Sequence, residues 1–282
     1  MKWYNKYIQV YEKPVSEIPA PIIEEVCRKL AEFQSNEPLA SIVLIAHNEA
    51  THLLSCLWSL CDNQFNFPIE IITVNNNSTD NTEEVLQQLG ARYYNESQKG
   101  PGYARQCGLN HARGKLYLCI DADTLYPPYY IKTHVEQLMK PGIIATFSLW
   151  SFMADNKHSQ IGLWFYENLR DVHLHIQAIK RPELCVRGMA FGFHTEPARL
   201  FGFRTDIIRG EDGSLALAMK SQGKLVFIRN HKARVLTSNG TINADGSLMN
   251  SFKIRMIKAL KGITGLFTPK DNYKDEDSNL IK

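Results

Sequence analysis

Between Ser41 and Asp121 the chain alternates short, strand-like segments with helix-like ones, and no other feature restricts its fold as strongly. Ser41-Ile42-Val43-Leu44-Ile45-Ala46 is a continuous apolar run, and Ile69 to Val74 and Lys115 to Ile120 are further predicted strands. Unbroken rather than alternating hydrophobicity is the mark of a strand buried on both faces. Between the runs, Leu53, Leu54, Leu57 and Leu60 share one side of a predicted helix. Asp80 with Glu83 forms a capping-box-like start to another, which runs through Leu89. A short strand is predicted over Ala91 to Tyr94, then a helix from the Gly/Pro loop Lys99-Gly100-Pro101-Gly102 to about Ala112. Strand and helix in turn predict an α/β fold with a doubly wound, mostly parallel sheet flanked by helices. A chain of 282 residues can bury a sizeable core in one large domain or two small ones.

In such sheets ligands bind beyond the carboxyl ends of the strands. Each run here ends in polar residues: His47-Asn48-Glu49, Asn75-Asn76-Asn77-Ser78, and Asp121-Ala122-Asp123. If the strands are parallel, all three exits open onto one edge.

The rest of the chain is less regular. Residues 1–40 form a lead-in with helical spacing from Ile22 to Phe33. Residues 41–236 read as the main domain, with a nucleotide-sugar half at 41–125 and a mixed, acceptor-side half at 126–236. In the latter, Ile143 to Trp150 and Lys224 to Ile228 are predicted strands, and Arg187 to His194 is strand-like. Gln160 to Ile179 is predicted as a helix rich in aromatics and histidines, and another helix follows Gly210-Glu211-Asp212-Gly213. Residues 237–282 carry an amphipathic stretch from Ser251 to Phe267, with Phe252, Met256, Ile257, Leu260 and Ile263 on one face. Lys253, Arg255, Lys258 and Lys261 surround that face, so it suits peripheral contact with an anionic membrane; packing on the domain is the competing reading.

A net charge of +3 is too small to argue for nucleic acid, and no nucleic-acid partner is expected. The six cysteines form no CxxC pair or zinc-spaced cluster, so they read as reduced thiols of a reducing compartment. No apolar leader follows Met1 and no run reaches the roughly 18 residues of a membrane span. The expected location is cytoplasmic, with the tail offering contact to the inner face of the membrane.

Asp121 and Asp123, two residues apart at a strand end, can share one hard cation. A diphosphate supplies further oxygen ligands, as Mg²⁺ sites require. A bare pair of this kind is more often a solvated turn; its place after Leu116 to Ile120, level with two other polar exits, favours the cation. Lys99 and Arg105 flank the Gly/Pro loop at a helix start and are expected to face a diphosphate, solvated surface cations being the alternative.

From Ser41 to about Leu236 the chain resembles the inverting family 2 glycosyltransferases of GT-A fold. The resemblance rests on Ile45-Ala46-His47-Asn48-Glu49, on Val74-Asn75-Asn76-Asn77-Ser78-Thr79-Asp80-Asn81-Thr82, on Gly102-Tyr103-Ala104-Arg105-Gln106-Cys107-Gly108, on Asp121-Ala122-Asp123 and on Glu211-Asp212, in that order. It implies a GT-A type sheet and transfer of a sugar from a nucleotide-diphosphate donor to a saccharide or lipid-linked saccharide. Polysaccharide or glycolipid synthesis is the implied setting. Donor contacts fall on Ala46, Asn48, Glu49, Asn75, Asn77, Lys99, Gly100, Arg105, Asp121 and Ala122. The implied Mg²⁺ or Mn²⁺ falls to Asp121 and Asp123, with His231 as a late further ligand. Asp212 is the implied base that takes the acceptor proton, with Glu211 orienting the base or the acceptor. One departure stands out: the family commonly has Asp at Asn75, where it contacts the donor base, so a uracil donor does not follow.

Two alternatives are open. A sugar-phosphate nucleotidyltransferase needs a Gly-rich phosphate loop near the first strand, and His47-Asn48-Glu49 is none. A non-catalytic nucleotide-sugar-binding protein has only Asn75 in its favour.

Overall fold

The computed structural model of the chain describes residues 2–207 and 209–240. Its helices are α1 (Asn5–Ile8), α2 (Ala20–Glu32), α3 (Leu53–Cys61), α4 (Thr82–Gln88), α5 (Pro101–His111), α6 (Tyr130–Leu138), α7 (Gln160–Lys180), α8 (Thr195–Phe201) and α9 (Glu211–Met219). Its strands are β1 (Ala40–Ala46), β2 (Ile69–Asn76), β3 (Tyr93–Glu96), β4 (Leu116–Asp121), β5 (Thr124–Leu125), β6 (Ile143–Ser148), β7 (Trp150–Phe152), β8 (Phe191–His194), β9 (Lys224–Ile228) and β10 (Val235–Thr237).

Seven strands form one sheet in the order β3-β2-β1-β4-β8-β6-β9. β1 to β4 are mutually parallel, β8 runs against both β4 and β6, and β9 returns parallel to β6. The expected mostly parallel sheet with a mixed second half is therefore present. Every residue of β2 is buried, and β1 and β4 each have a single half-buried member. These are three of the strands predicted from the sequence, and the one charge they bury, Glu70 in β2, is paired with Arg92 and Arg113. A smaller sheet, β5-β10-β7, lies beyond the end of β4.

Local expectations differ in three places. The strand expected at Ala91–Tyr94 sits two residues later, because Gly90 takes a left-handed turn (φ 61°) and delays pairing with β2 until Tyr93. The strand-like stretch from Arg187 begins as a 3₁₀ turn over Gly188–Ala190, and only Phe191–His194 joins the sheet. The capping box at Asp80 does not form. Asp80 accepts from Thr82 N (3.0 Å) and Ala50 N (3.2 Å), while Glu83 accepts from Tyr93 and Asn95. Its acid side chains thus serve the loop rather than the helix end.

Residues ahead of β1 also enter the core. Tyr7, Val10, Val15, Ile18, Val26 and Leu30 are buried. The amphipathic stretch Ser251–Phe267 lies outside the described residues. All six cysteines are free thiols, five of them buried. Among the described residues no helix is long and apolar enough to cross a membrane.

Candidate active site

The three polar exits meet, as the parallel order of β2, β1 and β4 requires. Ala46 pairs with Asn75 and Ile45 with Asp121 across the sheet. Loop contacts then stitch the first two exits together. Asn48, at a left-handed φ of 59°, accepts from Thr79 N (2.7 Å), and its own N–H donates to the Ser78 hydroxyl (3.0 Å). Glu49 N donates to Thr82 Oγ1 (2.8 Å), and its carboxylate pairs with His52. Ala46 and Ala122 are buried floor, whereas Asn48, Asn77 and Lys99 are exposed at the rim.

Asn75 is buried and its amide is held in one orientation. Its Nδ2 donates to Asn95 Oδ1 (2.9 Å), and Asn95 Nδ2 donates to Glu83 Oε1 (2.8 Å). This leaves Asn75 Oδ1 buried with no hydrogen-bond partner among the described residues. Burying an unpaired acceptor is costly, so this oxygen is free to accept a hydrogen bond from water or a bound molecule. Asn76, which motif spacing did not single out, fastens the next loop. It donates to Gln98 O (2.7 Å) and accepts from Gly100 N (2.9 Å). Gly100 starts α5 at φ 144°, a conformation that side chains rarely adopt.

Arg105 corrects the sequence reading. Expected at the surface or against a diphosphate, it is the largest fully buried side chain, only 1% exposed. Its guanidinium donates to Ile120 O (2.9 Å), pairs with Asp121, and stands 3.6 Å from Asp212 Oδ1. Motif spacing could not place it there, because its partners lie 16 and 107 residues later in the chain. Gly188 packs directly over this pair, and a Cβ there would collide with both Arg105 and Asp212.

Glu211 and Asp212 open α9, each 8% exposed. Burial lifts Asp212 well above the ordinary carboxylate range; Glu211 pushes the same way and Arg105 opposes. Asp212 Oδ1 has an ion-pair neighbour in Arg105 but no hydrogen bond, since 3.6 Å is too long for one.

Asp121 turns one oxygen to Arg105 and keeps a third of its side chain exposed. Burial raises its pKa, with Arg105 opposing and Asp123 adding to the rise. Asp123 accepts at its two carboxylate oxygens from Thr124 and Ser238. His231, expected as a further cation ligand, sits exposed on a 3₁₀ turn, and among the described residues no three His, Cys, Asp or Glu side chains gather to hold a metal. β10, which follows that turn, brings Ser238 to Asp123.

The donor set still suits a divalent cation. Mg²⁺ and Mn²⁺ sites take hard oxygen ligands, and Mg²⁺ commonly uses one or two carboxylates plus substrate phosphates. Asp121 and Asp123 supply two carboxylates at one strand end, and Asp121 keeps a third of its side chain exposed.

A family model described as glycosyl transferase family 2 matches residues 41–208, more than half of the chain. A dolichyl-phosphate beta-glucosyltransferase (ALG5D) of Trichomonas vaginalis is 30% identical over 135 residues, 43% of this chain and 38% of that protein. Glycosyltransferase AglE of Haloferax volcanii is 24% identical over 116 residues, 39% of this chain and 38% of that protein. The chain thus spans well under two thirds of the length of these curated relatives. Among solved structures, the mannosyltransferase PcManGT of Pyrobaculum calidifontis, in complex with GDP-Man and Mn²⁺, superposes with a TM-score of 0.58. It shares 18% identity, with 94% of this chain and 75% of that one covered. TarS of S. aureus with UDP-GlcNAc gives 0.52 at 15% identity, covering 71% and 58%. These likenesses establish a GT-A fold.

Proposed function

The chain belongs to glycosyl transferase family 2, and on that premise we propose that it moves a sugar from a nucleotide-diphosphate donor to an acceptor hydroxyl with inversion. The observation that carries this is Asp212, a buried carboxylate whose Oδ1 lacks a hydrogen bond beside the Asp121–Asp123 pair. A base awaiting its acceptor hydroxyl has this character, and a non-catalytic binding protein has no use for it. In the transfer, the acceptor oxygen bonds to the anomeric carbon as the bond to the diphosphate oxygen breaks, and Asp212 takes the acceptor proton. A base opposite the leaving group makes the outcome inverting. A divalent cation held by Asp121, Asp123 and the donor's diphosphate would offset charge on the departing group. Asn75 Oδ1 offers one acceptor to the donor's base, oriented through Asn95 and Glu83.

The test is release of nucleoside diphosphate from a panel of UDP- and GDP-sugars with Mn²⁺ or Mg²⁺. Activity is expected to vanish with chelator. Asp123→Ala is expected to weaken cation-dependent donor binding by at least about tenfold, the scale of one lost charge-assisted contact of 1.5 kcal/mol or more. Donor binding that ignores both chelator and Asp123→Ala overturns the metal assignment.

The acceptor we propose is lipid-linked, at an anionic bilayer. α7 packs one face, which includes the buried Arg170, on the domain and carries apolar side chains on the opposite one. Leu163, Tyr166 and Leu174 are buried, while Ile161, Trp164, Phe165, Leu169, Val172, Ile176 and Ile179 are each more than half exposed along the other side. An exposed apolar stripe of this length marks a surface that another body covers. The basic residues of the stretch Ser251–Phe267 favour an anionic surface as that cover. Co-pelleting with anionic vesicles at low salt checks this. The full chain is expected to pellet, and Phe165→Glu with Ile176→Glu to remain in solution. A full chain that stays in the supernatant ends the membrane reading.

A further inference from the structure

Two residues outside the matched span 41–208 hold Asp123, one at its carbonyl and one at its carboxylate. The Tyr11 hydroxyl donates to the Asp123 carbonyl oxygen at 2.8 Å. The Ser238 hydroxyl donates to the Asp123 carboxylate. One bond fixes the peptide and the other fixes the side chain.

Neither contact is incidental to a loose chain end. On one side of Tyr11, Tyr7 is buried, donates to Asp62 (2.8 Å) and meets the Trp58 ring edge-on at 5.4 Å. On the other side, Val15 and Ile18 are buried. The Tyr11 ring lies 4.7 Å from that of His52, which pairs with Glu49. Glu12, the next residue, is held at a φ of 58°. A non-glycine residue in that region is strained and persists only where the surroundings impose it. Here it reverses the chain just after the hydroxyl has reached its target.

Ser238 is placed with equal definition. β10 pairs with β5 so that Thr237 faces Thr124, and their hydroxyls bond at 2.9 Å. Thr237 O accepts from Met153 N at 3.0 Å, and Asn239 is tied to Asp155 at 2.8 Å. The register of β10 therefore aims Ser238 at the second carboxylate of the Asp121–Asp123 pair.

We propose that Tyr11 and Ser238 are positioning residues that orient the Asp123 carboxylate toward the cation of the donor complex. This rests on the reading of Asp123 as a cation ligand. Groups that hydrogen-bond a ligating side chain fix its direction, and losing one typically costs 10–100-fold in metal affinity.

The experiment measures Mn²⁺ affinity of the full chain in the presence of UDP or GDP, by loss of the free Mn²⁺ paramagnetic resonance signal. Melting temperature and the Mn²⁺ dependence of the rate are recorded alongside. Tyr11→Phe and Ser238→Ala are each expected to weaken Mn²⁺ binding by about tenfold, and excess Mn²⁺ to restore the rate. Ser238→Thr, which keeps the hydroxyl, is expected to retain most of the affinity. Asp123→Ala separates the two possible failures. If it binds Mn²⁺ as the parent does, the cation reading itself falls. If it loses Mn²⁺ while Tyr11→Phe and Ser238→Ala keep parental affinity, the positioning roles are overturned, even if their melting temperatures drop.

Discussion

Asp212→Asn is expected to lower kcat by about 10²–10⁴-fold, the usual contribution of a positioned base, while donor affinity stays within a few-fold of the parent. Asn keeps the shape of the carboxylate but cannot take a proton, and the donor-side residues Asn75, Asp121 and Asp123 are untouched. The same substitution is expected to raise the melting temperature at neutral pH. Burial holds the Asp212 pKa well above that of an unfolded carboxylate, so the fold gives up stability on ionising it. That contribution is fully present below the unfolded pKa and is lost as pH rises through the folded one. At neutral pH a neutral isostere escapes the loss. The parent's acid limb in kcat/KM is accordingly expected above the ordinary Asp range, and the variant's residual rate should lack it. Parental kcat in Asp212→Asn would remove the base assignment, whatever the melting curve shows.

How much of this site could be read from residue order follows from how each part is built. The three exits were legible because strands buried on both faces are mostly apolar, and the polar residues ending them, His47, Asn75 and Asp121, stand out by contrast. Parallel order then brings them together with no further information. Arg105 was legible as a residue but not as an environment. Its neighbours Gly100 and Pro101 suggested a phosphate loop, yet α5 turns the guanidinium inward, where Ile120 O, Asp121 and Asp212 receive it. His231 shows the limit of motif order. Its rank after Glu211-Asp212 suited a ligand, but whether the 3₁₀ turn or the strand after it reaches Asp123 depends on the register of β10. Tyr11 and Ser238 carry no motif at all. A hydroxyl that supports a backbone carbonyl or a carboxylate leaves no spacing signature, so only the folded chain reveals it.

Arg105→Met is the substitution expected to damage the fold most. Removing one partner from a buried ion pair costs about 3–5 kcal/mol, because the remaining charge is left uncompensated. Here two carboxylates lose their shared cation, and Ile120 O loses a donor. Arg105→Lys is not expected to rescue it fully, since an ammonium cannot reproduce the planar fork that reaches Ile120 O and Asp121 together. The deficit should depend on pH in a definite direction. Asp121 and Asp212 already have raised pKa values with Arg105 opposing the rise; without it they climb further. Groups whose folded pKa is raised favour the fold below the unfolded value and disfavour it above. The variant should therefore fall furthest behind the parent at neutral pH and recover ground as pH drops toward the ordinary carboxylate range. Mn²⁺ with a nucleoside diphosphate should recover ground in a second way, by supplying positive charge at Asp121. Denaturant unfolding at neutral and acidic pH, with and without Mn²⁺ and UDP or GDP, measures both effects. A deficit that is the same at every pH and indifferent to Mn²⁺ would mean that Arg105 acts through packing alone, and that the link it makes between the Asp121–Asp123 pair and the Asp212 base is not electrostatic.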